Sequence, residues 1–247
     1  MKVLKFGGSS VANSKNIEKV LDIVATSSKD QQIAVVVSAF GKTTDKLILG
    51  ANLAAQKNEA YLTILKDLED HHFDIIKELI PVKDQSAIIS YAKQLFNHLE
   101  TIYEGCFLLQ ELTPKTLAKI SSFGELLSSY IIAKAANTKF ETVYKDSREL
   151  IIASNTYNSA LVNFSVTNKN CQEYFEKHSQ KVTILPGFVA RTIEGKTTTL
   201  GRGGSDFTAS IIAAALSADE LQIWTDVSGM FTANPKIVKQ ASEIAHI

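Results

Sequence analysis

With 247 residues, 45% of them apolar, the chain can bury the core of one large α/β domain or two modest ones. Its 26 Lys and Arg balance 26 Asp and Glu, so no net field draws it to nucleic acid or an anionic membrane, and neither is expected as a partner. The two cysteines, Cys106 and Cys171, lie far apart and form no C-x-x-C pair, which fits a reducing compartment and two small buried side chains. The opening MKVLKFGG has too few apolar residues for a signal segment, and no later apolar run reaches membrane-spanning length, so a soluble, cytoplasmic protein is expected.

Taken in chain order, KVLKF (Lys2 to Phe6) is a β-prone run that stops at Gly7-Gly8. SKNIEKVLDIVATSS then puts Ile17, Val20, Leu21 and Val24 on one helical face. QQIAVVVSA reads as a second strand, and its unbroken apolar run suits a parallel sheet covered on both faces. From Asp45 to about Ala136 the period is helical throughout; Ile88, Ala92, Leu95, Phe96, Leu99, Ile102, Tyr103 and Cys106 recur at spacings of three and four. Pro81 and Pro114 stand near helix starts. Strands return at Phe140 to Tyr144 and at Lys181 to Ala190, with a helix from Thr167 to His178 between them. TTTLGRGGSDFTASIIAAAL gives strand, glycine loop and helix, and DELQIWTDVSG gives a last strand ending at Trp224-Thr225. This alternation predicts a mainly parallel sheet between two helical layers, with ligands gathered at the carboxyl ends of the strands.

Several strand ends carry glycines or hydroxyls beside a charge. GKTTDKL (Gly41 to Leu47) has the lysine of a P-loop and the strand–loop–helix context, but the required first glycine is replaced by Val36, whose side chain would obstruct phosphate. The alternative is a plain turn in which Ser38 or Thr44 caps backbone amides. KFGGSS places Lys5 at the end of the first strand before two glycines and two hydroxyls, a setting open to an anion and equally open to a structural turn. In GRGGSD, Arg202 offers a planar fork for a carboxylate or phosphate, while Asp206 either caps the next helix or faces a ligand. Asp226 of WTDVSG has the same two readings. Together these loops would meet on one edge of a parallel sheet, which makes a site.

The ordered motifs VLKFGGSSVAN, VVVSAFGKTTDKL, SSFGELLSS, PGFVA, TTTLGRGGSD and WTDVSGMFTANP resemble the aspartokinases of the amino-acid kinase superfamily over essentially the whole chain. That resemblance implies a three-layer α/β/α sandwich of the carbamate kinase type. It also implies phosphorylation of the L-aspartate side chain by MgATP, giving 4-phospho-L-aspartate, the entry to lysine, threonine and methionine synthesis. By motif, Lys5 and Asp206 would be catalytic. Ser38, Thr44, Glu125, Phe188, Arg202 and Ser205 would hold aspartate, with Arg202 on the α-carboxylate and Glu125 and Asp206 on the ammonium. Lys5, Gly7, Gly8, Ser10, Thr225, Asp226, Phe231 and Lys236 would meet ATP, and Mg²⁺ would be carried on the phosphates with no protein metal site. Two departures stand out. Ser9 replaces a commoner threonine, and Phe231, Asn234 and Lys236 stand where tyrosine, aspartate and arginine are frequent, which weakens directed hydrogen bonding.

Family chains run on past SEIAHI into a further glycine-lysine segment, ACT regulatory domains and sometimes a fused homoserine dehydrogenase. The resemblance therefore implies that residues 1–247 are an N-terminal piece without ACT domains. An aspartate-binding lobe would occupy about 1–190 and an incomplete nucleotide-binding lobe about 191–247, from a parent that forms homo-oligomers. The competing functions are another kinase of the superfamily and a catalytically silent ligand-binding fragment or assembly subunit. The chemistry needs no general base, because an aspartate carboxyl of pKa ~3.9 is already ionised at neutral pH. In agreement, His71, His72, His98, His178 and His246 all lie outside the glycine motifs. In KDLEDHHFD, helical geometry sends His72 to the apolar stripe and His71 away from it, which argues against a shared metal.

Overall fold

Residues 1–225, 229, 232, 233, 237–242 and 244 are described by the computed structural model of the chain. Strand β1 (Lys2–Phe6) runs through the middle of the sheet, paired in parallel with β2 (Ile33–Val37) on one side and β7 (Glu220–Trp224) on the other. β2 pairs in parallel with β4 (Val182–Pro186), and β4 with β3 (Thr142–Tyr144), giving the order β3-β4-β2-β1-β7. With every strand pointing the same way, all the carboxyl ends fall on one edge.

Alternation along each strand sorts the core into two layers. Leu4, Phe6, Ile33, Val35, Val37, Val182 and Ile184 face helices α1 (Ser14–Ser27), α2 (Thr43–Ala55), α3 (Ala60–Leu79), α4 (Val82–Leu109) and α5 (Pro114–Ala136). Val3, Ala34, Val36 and Leu185 face α6 (Phe164–Lys177) and α7 (Gly204–Ala215). This is the expected three-layer sandwich. β2 is buried at every position, as its unbroken apolar run required. The expected α4 stripe is also met, with Ile88, Ala92, Phe96, Leu99, Tyr103 and Cys106 buried and Leu95 and Ile102 partly so. Asn13, Thr113 and Asn163 cap α1, α5 and α6 through side-chain oxygens, and Pro114 opens α5 where a missing N–H costs nothing.

Three expectations need correction. The run Lys181 to Ala190 is two strands: β4 ends at Pro186, and β5 (Val189–Arg191) leaves the sheet to pair antiparallel with β6 (Thr197–Thr199). The third strand begins at Thr142 because the Phe140 amide still donates to Ala136 O (2.9 Å), in the turn that closes α5. Neither Ser38 nor Thr44 caps α2; its cap position is Lys42, without a side-chain bond, and the Thr43 hydroxyl donates back to Phe40 O at 2.6 Å. His72 is fully buried, its Nδ1 2.7 Å from Leu68 O, and its ring stands edge-on to that of His71. Both cysteines are buried and free. No helix among the described residues is long and apolar enough to cross a membrane.

Candidate active site

The loops at the carboxyl edge are tied to one another by backbone bonds. Ser38 N donates to Phe6 O (3.1 Å), Gly41 N to Gly8 O (3.0 Å) and Gly187 N to Val37 O (2.9 Å). Helix α5 joins them where the Ser128 hydroxyl donates to Ser38 O at 2.8 Å. Gly8 is required by this packing, since a Cβ there would stand 2.9 Å from Gly41 O and 3.2 Å from Ala39 O.

A cavity of about 270 Å³ opens between these loops, lined by Lys5, Ser38, Thr44, Glu125, Phe188 and the run Gly201 to Asp206. Lys5 shares the sheet face of Val3 and so projects toward α7, where its Nζ lies 2.6 Å from Asp206 Oδ1. The lysine side chain is 10% exposed and the aspartate 47%, so the pair sits at the cavity mouth with its cation inward. Asp206 occupies the first turn of α7 without capping it, and Oδ1 lacks the geometry of a directed hydrogen bond. Arg202 is exposed and has no protein partner among the described residues.

Glu125 lies on α5 among side chains buried from Ala118 onward and is itself buried. The Ala39 amide, the Glu125 amide itself and the Thr44 hydroxyl favour the charged form of its carboxyl, but Oε2 has no partner. Burial outweighs these three polar groups and pushes the carboxyl up to about 8.

Phe188 has φ 67°, a conformation that costs a non-glycine residue about 1–3 kcal/mol. It is held there from two sides: its amide donates to Thr208 Oγ1 at 3.0 Å, and its carbonyl accepts from Leu200 N at 2.9 Å. The kink aims the ring into the cavity wall and turns the chain out of the sheet toward β6. Gly187, just before it, lies against α7: a Cβ would stand 2.5 Å from Ser205 Oγ and 2.9 Å from Ser205 Cα. Gly187→Ala is expected to displace the start of α7 and to cost about 1–3 kcal/mol, an overpacking penalty measurable as a lower urea midpoint with unchanged slope.

Every residue expected at the aspartate end therefore lines one cavity: Lys5, Ser38, Thr44, Glu125, Phe188, Arg202, Ser205 and Asp206. The Ala39 amide and the backbone of Gly201, Gly203 and Gly204 were not singled out, although the last three belong to the same motif. Gly7 lies beside the cavity, its amide donating to Trp224 O at 3.4 Å and its Cβ position 3.4 Å from Lys5 Nζ. Ser10 and Thr225 fall elsewhere, in a cavity of about 310 Å³ beside α1 that Phe6, Asn16 and Trp224 also line. Asp226, Phe231, Asn234, Lys236 and His246 lie outside the described residues.

The model of the amino acid kinase family matches residues 1–247. The chain belongs to that family. Among curated family members it is 33% identical to "Aspartokinase 1, chloroplastic" of Arabidopsis thaliana, over 99% of this chain and 43% of that protein. It is 32% identical to the bifunctional aspartokinase/homoserine dehydrogenase of Buchnera aphidicola, over 98% of this chain and 30% of that one. Among solved structures, Escherichia coli aspartokinase III in complex with aspartate and ADP superposes with a TM-score of 0.89 at 27% identity, covering 99% of this chain and 53% of that one. The chain thus spans from under a third to about half the length of these relatives. An isopentenyl phosphate kinase at 14% identity and a TM-score of 0.51 shares the fold.

Proposed function

We propose that this chain phosphorylates the side-chain carboxylate of L-aspartate with MgATP, giving 4-phospho-L-aspartate and ADP, the first step toward lysine, threonine and methionine. The observation that carries this reading is the gathering of Lys5, Thr44, Glu125, Arg202 and Asp206 around one cavity from four separate segments. Such a set suits a small zwitterion with an extra carboxylate: Arg202 for the α-carboxylate, Glu125 and Asp206 for the ammonium, and Thr44, Ser38 and Ser205 as hydroxyl donors. Similarity to a structure holding aspartate and ADP supports the same pair of ligands.

The phosphate donor fits at the Lys5 end. Bare backbone at Gly7 leaves space beside the ammonium that any side chain would enter, because a Cβ there already stands 3.4 Å from Nζ. Mg²⁺ bound through the ATP phosphates would add positive charge at the transferring group. The chain's own part is to hold an already ionised carboxylate in line and to present Lys5 where charge builds on the phosphoryl oxygens. Gly8 and Ser10 would border the phosphates, and Thr225, Asp226, Phe231 and Lys236 the nucleoside side. On this reading residues of about 1–190 supply the aspartate lobe and those of about 191–247 part of the nucleotide lobe.

The test is capture of the acyl phosphate by hydroxylamine, with release of ADP followed in parallel so that an acceptor forming no acyl phosphate is also seen. Hydroxamate should form only when aspartate and MgATP are both present, and glutamate or a nucleoside monophosphate should not replace aspartate. Turnover of either substitute at the aspartate rate, or no product with aspartate, overturns the reading.

A further inference from the structure

Glu125 poses a problem of charge that the residues lining its cavity do not solve. Its side chain is buried, one oxygen is unpartnered, and the polar groups that act on it are two backbone amides and a hydroxyl, all neutral. A buried carboxylate without a cation is costly, and a carboxyl in that position keeps its proton instead.

The charged neighbours do not supply the missing cation. Lys5, from β1, lines the same cavity but its ammonium is bound to Asp206 at 2.6 Å, and Arg202 stands exposed at the mouth. From α2 the contact is the uncharged Thr44, and from the loop after β2 it is the Ala39 amide. On α4, the His98 ring lies tilted against Phe123 and Tyr103 donates to Leu47 O, while α3 contributes His72, whose ring packs on Phe40. Tyr144 of β3 lies by Ser129, one turn beyond Glu125, and the Ser129 hydroxyl donates to the Glu125 backbone carbonyl at 2.6 Å. None of these groups acts on Glu125 by charge; burial leads and its hydrogen bonds oppose.

We propose that Glu125 is a neutral carboxylic acid in the empty cavity and a carboxylate once the α-ammonium of the amino-acid substrate lies against it, so that substrate binding expels one proton. The proposal rests on the aspartate reading above. The proton leaves Glu125 Oε2 for solvent as the ammonium arrives, and charge in the buried pocket stays balanced throughout. A zwitterion satisfies this exchange, whereas the deaminated diacid would leave Glu125 protonated and Oε2 still unpartnered. Glu125 thereby selects for an amino acid and couples its affinity to pH.

The sign follows from which state holds the proton. The empty form keeps it up to a pH of about 8 and the bound form releases it, so apparent affinity rises with pH and falls as pH drops. Titration calorimetry with aspartate, in two buffers of very different ionisation enthalpy, should reveal release of ~0.9 proton per site at pH 7 and ~0.5 at pH 8. The apparent Kd should weaken ~10-fold from pH 7 to pH 6. Glu125→Gln should bind with a heat independent of buffer and without that slope. Binding heats that match in the two buffers for the unaltered chain overturn the proposal while leaving the aspartate reading intact; absence of binding removes both. A second measurement needs no substrate: the infrared difference between the unaltered chain and Glu125→Gln at pH 7 should contain the carbonyl stretch of a protonated carboxyl. A carboxylate band alone in that spectrum also overturns it.

Discussion

Lys5→Ala is expected to lower kcat ~10³-fold while leaving the KM for aspartate within a few-fold, a loss of ~4 kcal/mol of transition-state stabilisation. The cation sits at the end of the central strand with only 10% of its side chain exposed, where a charge acts on its neighbours with little screening. Its partner is Asp206, 2.6 Å away and nearly half exposed. Removing the ammonium therefore leaves a carboxylate that water can still reach, and truncating the buried stem should cost about 0.5–3 kcal/mol, less than the loss in turnover. Stability and turnover separate in this variant, which makes it informative. Lys5→Arg should not rescue kcat, because a planar guanidinium spreads its charge over a fork and does not reproduce the compact ammonium. Steady-state hydroxamate kinetics decide the matter, and unchanged kcat in Lys5→Ala would remove the lysine from the chemistry.

The layers of the fold were legible because two periods never compete in this chain. β1 and β2 are short apolar runs and α3 to α5 are long amphipathic ones, so length and spacing agree. Legibility failed where geometry changes without a change of composition. VTILPGFVAR stays apolar through the point where β4 ends, and only the positive φ of Phe188 turns the chain out of the sheet; nothing in a phenylalanine announces that conformation. Tertiary bonds from Thr208 and Leu200 impose it, and those partners lie 20 and 12 residues further on.

The candidate site was legible as a set of loops and illegible as a set of distances. A lysine inside the apolar KVLKF and a glutamate among the small residues of SSFGELLSS are each a charge in an otherwise buried element, and that contrast marks them. Pairing Lys5 with Asp206 depends on strand order, because α7 comes back over β1 only once β7 has taken its place beside it. Ser10 shows the converse. It belongs to the same glycine motif as Lys5, yet it lines the cavity beside α1 while Lys5 faces α7, since one turn of chain past the strand end is enough to cross the sheet.

Arg202→Ala should raise the KM for aspartate ~100-fold and change kcat by no more than a few-fold, the pattern of a group that binds ground state and transition state alike. The magnitude follows from a paired, charge-assisted contact to a carboxylate, which exceeds an ordinary hydrogen bond about twofold in strength. Arg202 is exposed and makes no hydrogen bond or ion pair among the described residues, so its removal breaks no polar interaction already formed and the melting temperature should stay unchanged. Lysine at this position restores charge without the two-pronged geometry, so Arg202→Lys should fall between the two in KM. Raising salt should weaken aspartate binding in the unaltered chain more than in Arg202→Ala, because the exposed guanidinium is the part of the cavity most open to screening. An Arg202→Ala chain that keeps its aspartate KM but loses kcat would move the arginine from the amino acid to the phosphoryl group, and the α-carboxylate would then have to be held by the hydroxyls of Ser38, Thr44 and Ser205.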